Sequence, residues 1–177
     1  MTSQRRVYYA ASLFNEAERE FNLKVVSMIH DLGLSTWFPQ EDVGLLSDFI
    51  EEDGMSLIEA REHIFRLNIA AVKEADVVVF VLDGRGPDEG ACIEAGIAWG
   101  MHKRVIALKT DFRDGEHGGN NLMIDGIVTD VAGSIDELRH LLSIETIVDL
   151  TGTEPVVTVR HREPEAVPES VEIIPES

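Results

Sequence analysis

The sequence predicts an α/β domain, an open and doubly wound parallel sheet of five strands with helices on both faces. Three short apolar runs, RVYYAAS (6–12), DVVVFVL (76–82) and RVIALK (104–109), read as buried strands because they are β-rich and nearly uncharged. Stretches with helical spacing flank them. Two weaker strand-like segments, STWF (35–38) and IVTDV (127–131), complete an alternating chain, and that alternation is the mark of a parallel sheet. The expected strand order is flavodoxin-like.

The first strand leads into a helix over 15–32, in which Phe21, Val25, Met28, Ile29 and Leu32 share one face. Gly33 marks its end, since glycine accepts the left-handed conformation that closes helices. After the strand at 35–38 comes EDVGLLSDFIEEDGM (41–55), long for a connection and expected to be a lid or a subunit-contact loop. A helix over 56–74 carries Leu57, Ile64, Leu67 and Ala71 inward and precedes the strand at 76–82. The next helix, 89–101, contains Gly96 and Gly100, which are expected to let it pack closely on the sheet or on a twin helix. The strand at 104–109, the weak strand near 127–131 and a helix over 134–143 follow.

Residues 1–150 are expected to form one domain and 151–177 a Pro/Glu-rich tail, either disordered or laid as a short arm on a neighbouring subunit. The tail holds four of the six prolines and a net charge of -4, leaving -14 on the body. Fifteen Lys and Arg stand against 33 Asp and Glu, for a total of -18. Such a surface repels phosphate backbones and anionic membranes, so neither nucleic acid nor membrane is an expected partner. The longest apolar run, VVVFVL (77–82), is far short of the ~20 residues that span a bilayer. Cys92 is the single cysteine, and the two Arg near the start precede a run too short for a signal peptide, which fits a reducing, cytoplasmic setting.

In such sheets ligands bind beyond the carboxyl ends of the strands where strand order reverses, here between the first and third. The loops concerned are YAASLFN (9–15) and DGRGPDEG (83–90). Asp83, Asp88 and Glu89 crowd the second loop, and Glu94 lies about one turn into the helix after it. A nucleotide-cofactor cradle fails on spacing, because G-x-G-x-x-G would need glycine at position 89 and no Gly-Lys-Ser/Thr occurs; no cofactor is expected. A cleft of carboxylates suits a neutral polyhydroxylated ligand such as a sugar, whose hydroxyls donate to them. The helix N-terminus is expected to keep Glu94 ionised, and an ionised carboxylate is the usual nucleophile at an anomeric carbon. The plainer alternative is solvated acids with Asp88 as an N-cap.

These residues resemble the nucleoside 2-deoxyribosyltransferase family. The resemblance rests on VYYAASLFNEAE (7–18), the spacing from Asn68 to Asp76 before VVVFVLDG, the stretch D-E-G-x3-E-A-G (88–96), and NNLM (120–123). It implies an enzyme in which Glu94 attacks C1' of a 2'-deoxynucleoside, the base leaves, and a second free nucleobase attacks the deoxyribosyl ester with net retention. It further implies that Tyr8 hydrogen-bonds and aims Glu94, that Asp88 binds sugar hydroxyls, and that Asn121 reaches the sugar in a neighbouring subunit of a homo-oligomer, dimer-based and up to a hexamer. Asp83, Phe14 and Glu18 are expected to line the substrate site, with Asn68 near the base.

Many members carry Asp where this chain has Asn68, so the leaving base must draw its proton from Asp76, Asp83 or water, or leave on hydrogen bonds alone; the Asn leans toward purines. The tail also departs from the pattern, having no Tyr, Phe or Trp. An N-glycosidase of 2'-deoxynucleosides or of nucleoside 5'-monophosphates, using the same glutamate with water as acceptor, is the alternative within the superfamily, although for the monophosphates Asp88 would disfavour a phosphate dianion that Arg85 and Arg113 would have to hold. A non-catalytic nucleoside-binding module is the alternative from another class.

Phe14 and Leu13 either wall a base or staple a helix start, and Trp37 either stacks on a base or ends its strand. Glu16 is more simply a solvated helix acid, and Cys92 a buried inert thiol. The histidines, at 30, 63, 102, 117, 140 and 161, lack metal-ligand spacing, so no metal is expected.

Overall fold

A computed structural model describes residues 4–111, 113 and 120–151. The tail from 152 onward, with its expected arm, and two of the histidines, His117 and His161, lie outside the described residues. The five strands are β1 (Arg6–Ala10), β2 (Ser35–Trp37), β3 (Val77–Val81), β4 (Arg104–Leu108) and β5 (Asp130–Ala132). All pair in parallel, in the order β2-β1-β3-β4-β5, which is the predicted flavodoxin-like order.

The strand residues alternate between two apolar layers, as the period of two requires. Val7 and Tyr9 of β1 face a layer with Val77, Val79 and Val81 of β3, covered by α1 (Glu16–Asp31) and α7 (Ile135–Thr151). Tyr8 and Ala10 face the opposite layer with Val78 and Phe80, covered by α4 (Leu57–Glu74) and α5 (Glu89–Gly100). A sheet buried on both faces explains why VVVFV is apolar without interruption.

The helices start where local chemistry provides caps. Asn15 and Glu18 close a capping box on α1, Ser56 and Glu59 one on α4, and Asp88 caps α5 through a 2.9 Å bond from Ala91 N–H. Gly33, at φ +75°, ends α1 as predicted.

Segment 41–55, expected as a lid or a subunit-contact loop, is built largely of helical turns. It overlaps α2 (Pro39–Asp42) and contains α3 (Leu46–Glu51), which packs on α4 with Phe49 edge-on to His63. Likewise α6 (Leu122–Ile127) occupies part of the stretch assigned to the last strand, which starts later, at Asp130. Gly96 and Gly100 do not serve close packing within the chain, since a Cβ at either would meet nothing within 4 Å. Three alanines bring α5 down onto the sheet instead: Ala91, Ala95 and Ala98, all buried.

Candidate functional site

Glu94 belongs to that same inward stripe. Positions 91, 94, 95 and 98 follow the i, i+3, i+4, i+7 rule, so the carboxylate sits on the helix face that carries the buried alanines. Burial pushes its pKa up to about 7, with the Asp88 charge adding to the rise and Tyr8 pulling the other way by hydrogen bonding to the charged form. The expectation that the helix N-terminus helps keep Glu94 ionised is therefore corrected: burial dominates, and as the sixth residue of α5 Glu94 lies beyond the first turn, where the dipole acts.

Tyr8 reaches Glu94 from β1. Its side chain is completely buried, and its hydroxyl closes no hydrogen bond of standard geometry. Burial first, then the Glu94 charge and a hydrogen bond toward Glu94, raise its pKa far above that of an ordinary phenol. The hydroxyl is thus felt by the carboxyl without closing a hydrogen bond to it, and catalytic hydrogen bonds of this kind often tighten only when substrate is bound. On the other side of the sheet, Tyr9 donates to Asn22 at 3.2 Å and meets Phe38 edge-on.

Beyond the ends of β1 and β3 opens a cleft of about 560 Å3. Phe14, Glu18, Asp83 and Asp88, four of the predicted residues, line it together with Ser12, Arg85 and Glu89. It lies at the reversal of strand order between β1 and β3, where the topology places a ligand.

Each of the four is held differently. Phe14 is 77% exposed, so it walls the cleft and does not staple the helix. Glu18 accepts from Ser12 Oγ at 2.7 Å and from Phe14 N–H at 2.9 Å; burial opposes its ionisation, but these bonds and those with Asn15 prevail and lower its pKa. It fastens the β1–α1 loop. Asp83 accepts from Thr110 N–H at 2.7 Å, Thr110 Oγ at 2.6 Å and Asp111 N–H at 2.8 Å, so both its oxygens tie the β3 loop to the β4 loop. Asp88 uses Oδ1 for the cap, while Oδ2 accepts no hydrogen bond among the described residues.

Asn68, on α4, accepts from the Trp37 indole N–H at 3.5 Å. Asp76 is removed from the candidates for protonating a base: it lies at the start of β3, at the opposite end of the sheet from the cleft, where it accepts from Arg6 N–H at 2.7 Å. Asn121 is not brought to the cleft. It caps α6 through Met123 N–H at 2.9 Å and is exposed. Of the two arginines weighed as phosphate ligands, Arg85 lines the cleft and Arg113 is paired with Asp111. Cys92 is half-buried, and burial followed by Asp88 and Glu89 raises its pKa, which disfavours a thiolate. Among the described residues no three His, Cys, Asp or Glu side chains converge as metal ligands.

Asn22, Ser12 and Thr110 were not singled out in the sequence. Asn22, completely buried, had a readable signal, an amide three residues before Val25 on the apolar face of α1. Thr110 had a weaker one, its place just beyond the end of β4, on the same sheet edge as Asp83.

The family model for nucleoside 2-deoxyribosyltransferase matches residues 7–138. No curated protein sequence matches this one. Among solved structures, a conserved protein from Enterococcus faecalis V583 is similar at 22% identity and a TM-score of 0.69, over 81% of this chain and 99% of that one. A 2-deoxyribosyltransferase from Bacillus psychrosaccharolyticus is similar at 21% and 0.60, over 76% and 90%. A CMP N-glycosidase from Clostridium botulinum is similar at 18% and 0.51, over 80% and 99%. At these identities the likeness to the solved structures is one of fold.

Proposed function

The chain belongs to the nucleoside 2-deoxyribosyltransferase family, and from that premise we propose that it exchanges the nucleobase of 2'-deoxyribonucleosides by double displacement on Glu94. The observation that carries this reading is a carboxyl on the inward face of α5 that interacts with a buried phenol and feels the charge of Asp88, one of the acidic residues lining the cleft, with Gly90 of that lining one turn before it on the helix.

A Glu94 oxygen attacks C1' as the C1'–N bond breaks, and that electron pair leaves with the base. Negative charge around the site stabilises the cation-like C1'. A ring nitrogen of a second base then attacks C1', the ester C–O bond breaks, Glu94 recovers its carboxylate and the N–H proton of the incoming base passes to water; two inversions give retention. Hydrogen bonding by Tyr8 favours the charged carboxylate and aims it. Asp88 holds sugar hydroxyls through Oδ2. Asn68 donates to the leaving base, and since Asp76 is distant and both Asp83 oxygens are engaged, the base draws any proton from water. Phe14 offers a flat exposed face for the base. Asn121, turned outward on α6, serves the site of a second copy, and the preferred bases are purines.

A phosphate-bearing substrate, such as the CMP named for the Clostridium protein, would set a dianion against Glu18, Asp83, Asp88 and Glu89, with Arg85 the one cation lining the cleft among the described residues. That charge balance favours the unphosphorylated nucleoside. Residues 1–150 form the catalytic unit in this reading, with 151–177 an appended segment; among the described residues no helix is long and apolar enough to cross a membrane.

The test is chromatography of 2'-deoxyinosine and adenine incubated with the wild type and with Glu94→Gln. Deoxyadenosine formed by the wild type alone is the expected result. Hypoxanthine without deoxyadenosine would make the chain a hydrolase, and an active Glu94→Gln variant would overturn the assigned nucleophile.

A further inference from the structure

We infer that Trp37 is a positioning residue that fixes the side-chain amide of Asn68 with its oxygen toward the indole, so that Asn68 meets the base as a hydrogen-bond donor. The inference rests on the transfer reading above and adds a residue to it. An indole N–H can donate but never accept, whereas an amide can do both. The atom of Asn68 that meets Trp37 Nε1 at 3.5 Å must therefore be Oδ1. Both Nδ2 hydrogens then remain for another partner.

Trp37 is itself fixed. On β2 it stands directly opposite Tyr8 in the parallel register, and its ring packs, half-buried, against the apolar layer that contains Tyr8. Tyr8 thus has two neighbours that bear on the reaction, Glu94 on α5 and Trp37 on β2, the latter bonded to Asn68 of α4. The orientation matters because breaking the C1'–N bond moves an electron pair onto the base, making its exposed nitrogens and carbonyl oxygens stronger acceptors. A donor aimed there tightens in the transition state, whereas a flipped amide would oppose lone pair to lone pair. No proton leaves Asn68; its N–H groups only polarise the base.

The experiment combines steady-state kinetics with NMR of the indole N–H protons on the full chain. Trp37→Phe keeps the packing and removes the donor, and it should lower kcat about tenfold, the size of one hydrogen bond lost from the transition state, with KM within about twofold. Asn68→Ala should lower kcat further, and the double variant should be no slower than Asn68→Ala, because Trp37 acts through Asn68. Effects that multiply in the double variant, or a Trp37→Phe variant with wild-type kcat, would overturn the inference.

The chain has two tryptophans, and Trp99 is 54% exposed, so the indole signal lost in Trp37→Phe identifies Trp37. That signal should move upfield in Asn68→Ala while the Trp99 signal stays. An unmoved signal would refute the contact itself. If the wild type transfers no deoxyribose, the transfer reading fails, while the NMR arm still decides whether Trp37 holds Asn68.

Discussion

Tyr8 on β1 and Glu94 on α5 face each other across the junction of sheet and helix, a fully buried phenol without a closed hydrogen bond beside a carboxyl raised to about 7. Both groups are costly to bury in this form. An unsatisfied hydroxyl costs about 1–3 kcal/mol, and a desolvated carboxyl is biased toward its neutral state. A fold selected for stability alone would place a phenylalanine and an apolar residue there. The pair instead fits a site whose interactions are completed when substrate binds.

Tyr8→Phe should separate stability from activity. Removing the unpaired hydroxyl should leave the protein as stable as the wild type or more stable, by up to about 1 kcal/mol in chemical denaturation. Transfer should fall by about ten- to a hundredfold in kcat, since the donor that aims Glu94 is gone. The acid limb of the rate profile should also move to higher pH, because the hydroxyl dipole that favours the charged carboxylate has been removed. A variant both less stable and fully active would contradict this account.

Glu94 should govern the pH dependence. Attack needs the carboxylate, so kcat/KM should climb with pH and level off above about 7. Stability should run the other way. The folded chain keeps a proton on Glu94 that the unfolded chain releases near 4.5, so this contribution is full below 4.5 and is lost as the pH rises through about 7. The full span is on the order of 3 kcal/mol, and denaturation of Glu94→Gln across that range should lack this component.

Asn22 is the test of the scaffold. It accepts from Tyr9 at 3.2 Å and donates to the Ser12 carbonyl at 2.9 Å, joining β1, α1 and the loop that forms one wall of the cleft. Asn22→Ala leaves buried polar groups unmatched and should cost roughly 2–3 kcal/mol of unfolding free energy. Its KM should rise as the loop loosens. Wild-type stability in this variant would show that the network is dispensable.

Asn121 can be tested by complementation. If it serves a second copy's site, Asn121→Ala and Glu94→Gln are each inactive as pure proteins, but mixed assemblies contain sites with one intact Glu94 and one intact partner Asn121. Mixing after mild dissociation should restore activity to a fraction of wild type. No recovery in verified mixed oligomers would confine Asn121 to capping α6.

The fold was legible because its strands are nearly pure apolar runs and its long helices carry caps readable from single residues, such as Asn15, Ser56 and Asp88. The short helices α2, α3 and α6 were not, since four to six residues give too little periodicity to distinguish a helical turn from a loop. The cleft's place followed from topology, and its carboxylates from the Gly-rich loop. What the sequence hid was which oxygens are already engaged. Asp83 lines the cleft, yet its oxygens already tie the β3 loop to Thr110 and Asp111. Glu94 looks like a helix-start acid, and its burial becomes readable only when Ala91, Ala95 and Ala98 are recognised as the stripe it shares.

The most direct test of the covalent Glu94 mechanism is intact-mass and peptide mass spectrometry of the protein quenched in acid after mixing with a 2'-deoxynucleoside and no acceptor base. A single deoxyribosyl adduct, mapped to the peptide containing Glu94 and discharged by added adenine, is the predicted result. Release of base at the wild-type rate with no adduct, or an adduct on another residue, would contradict it.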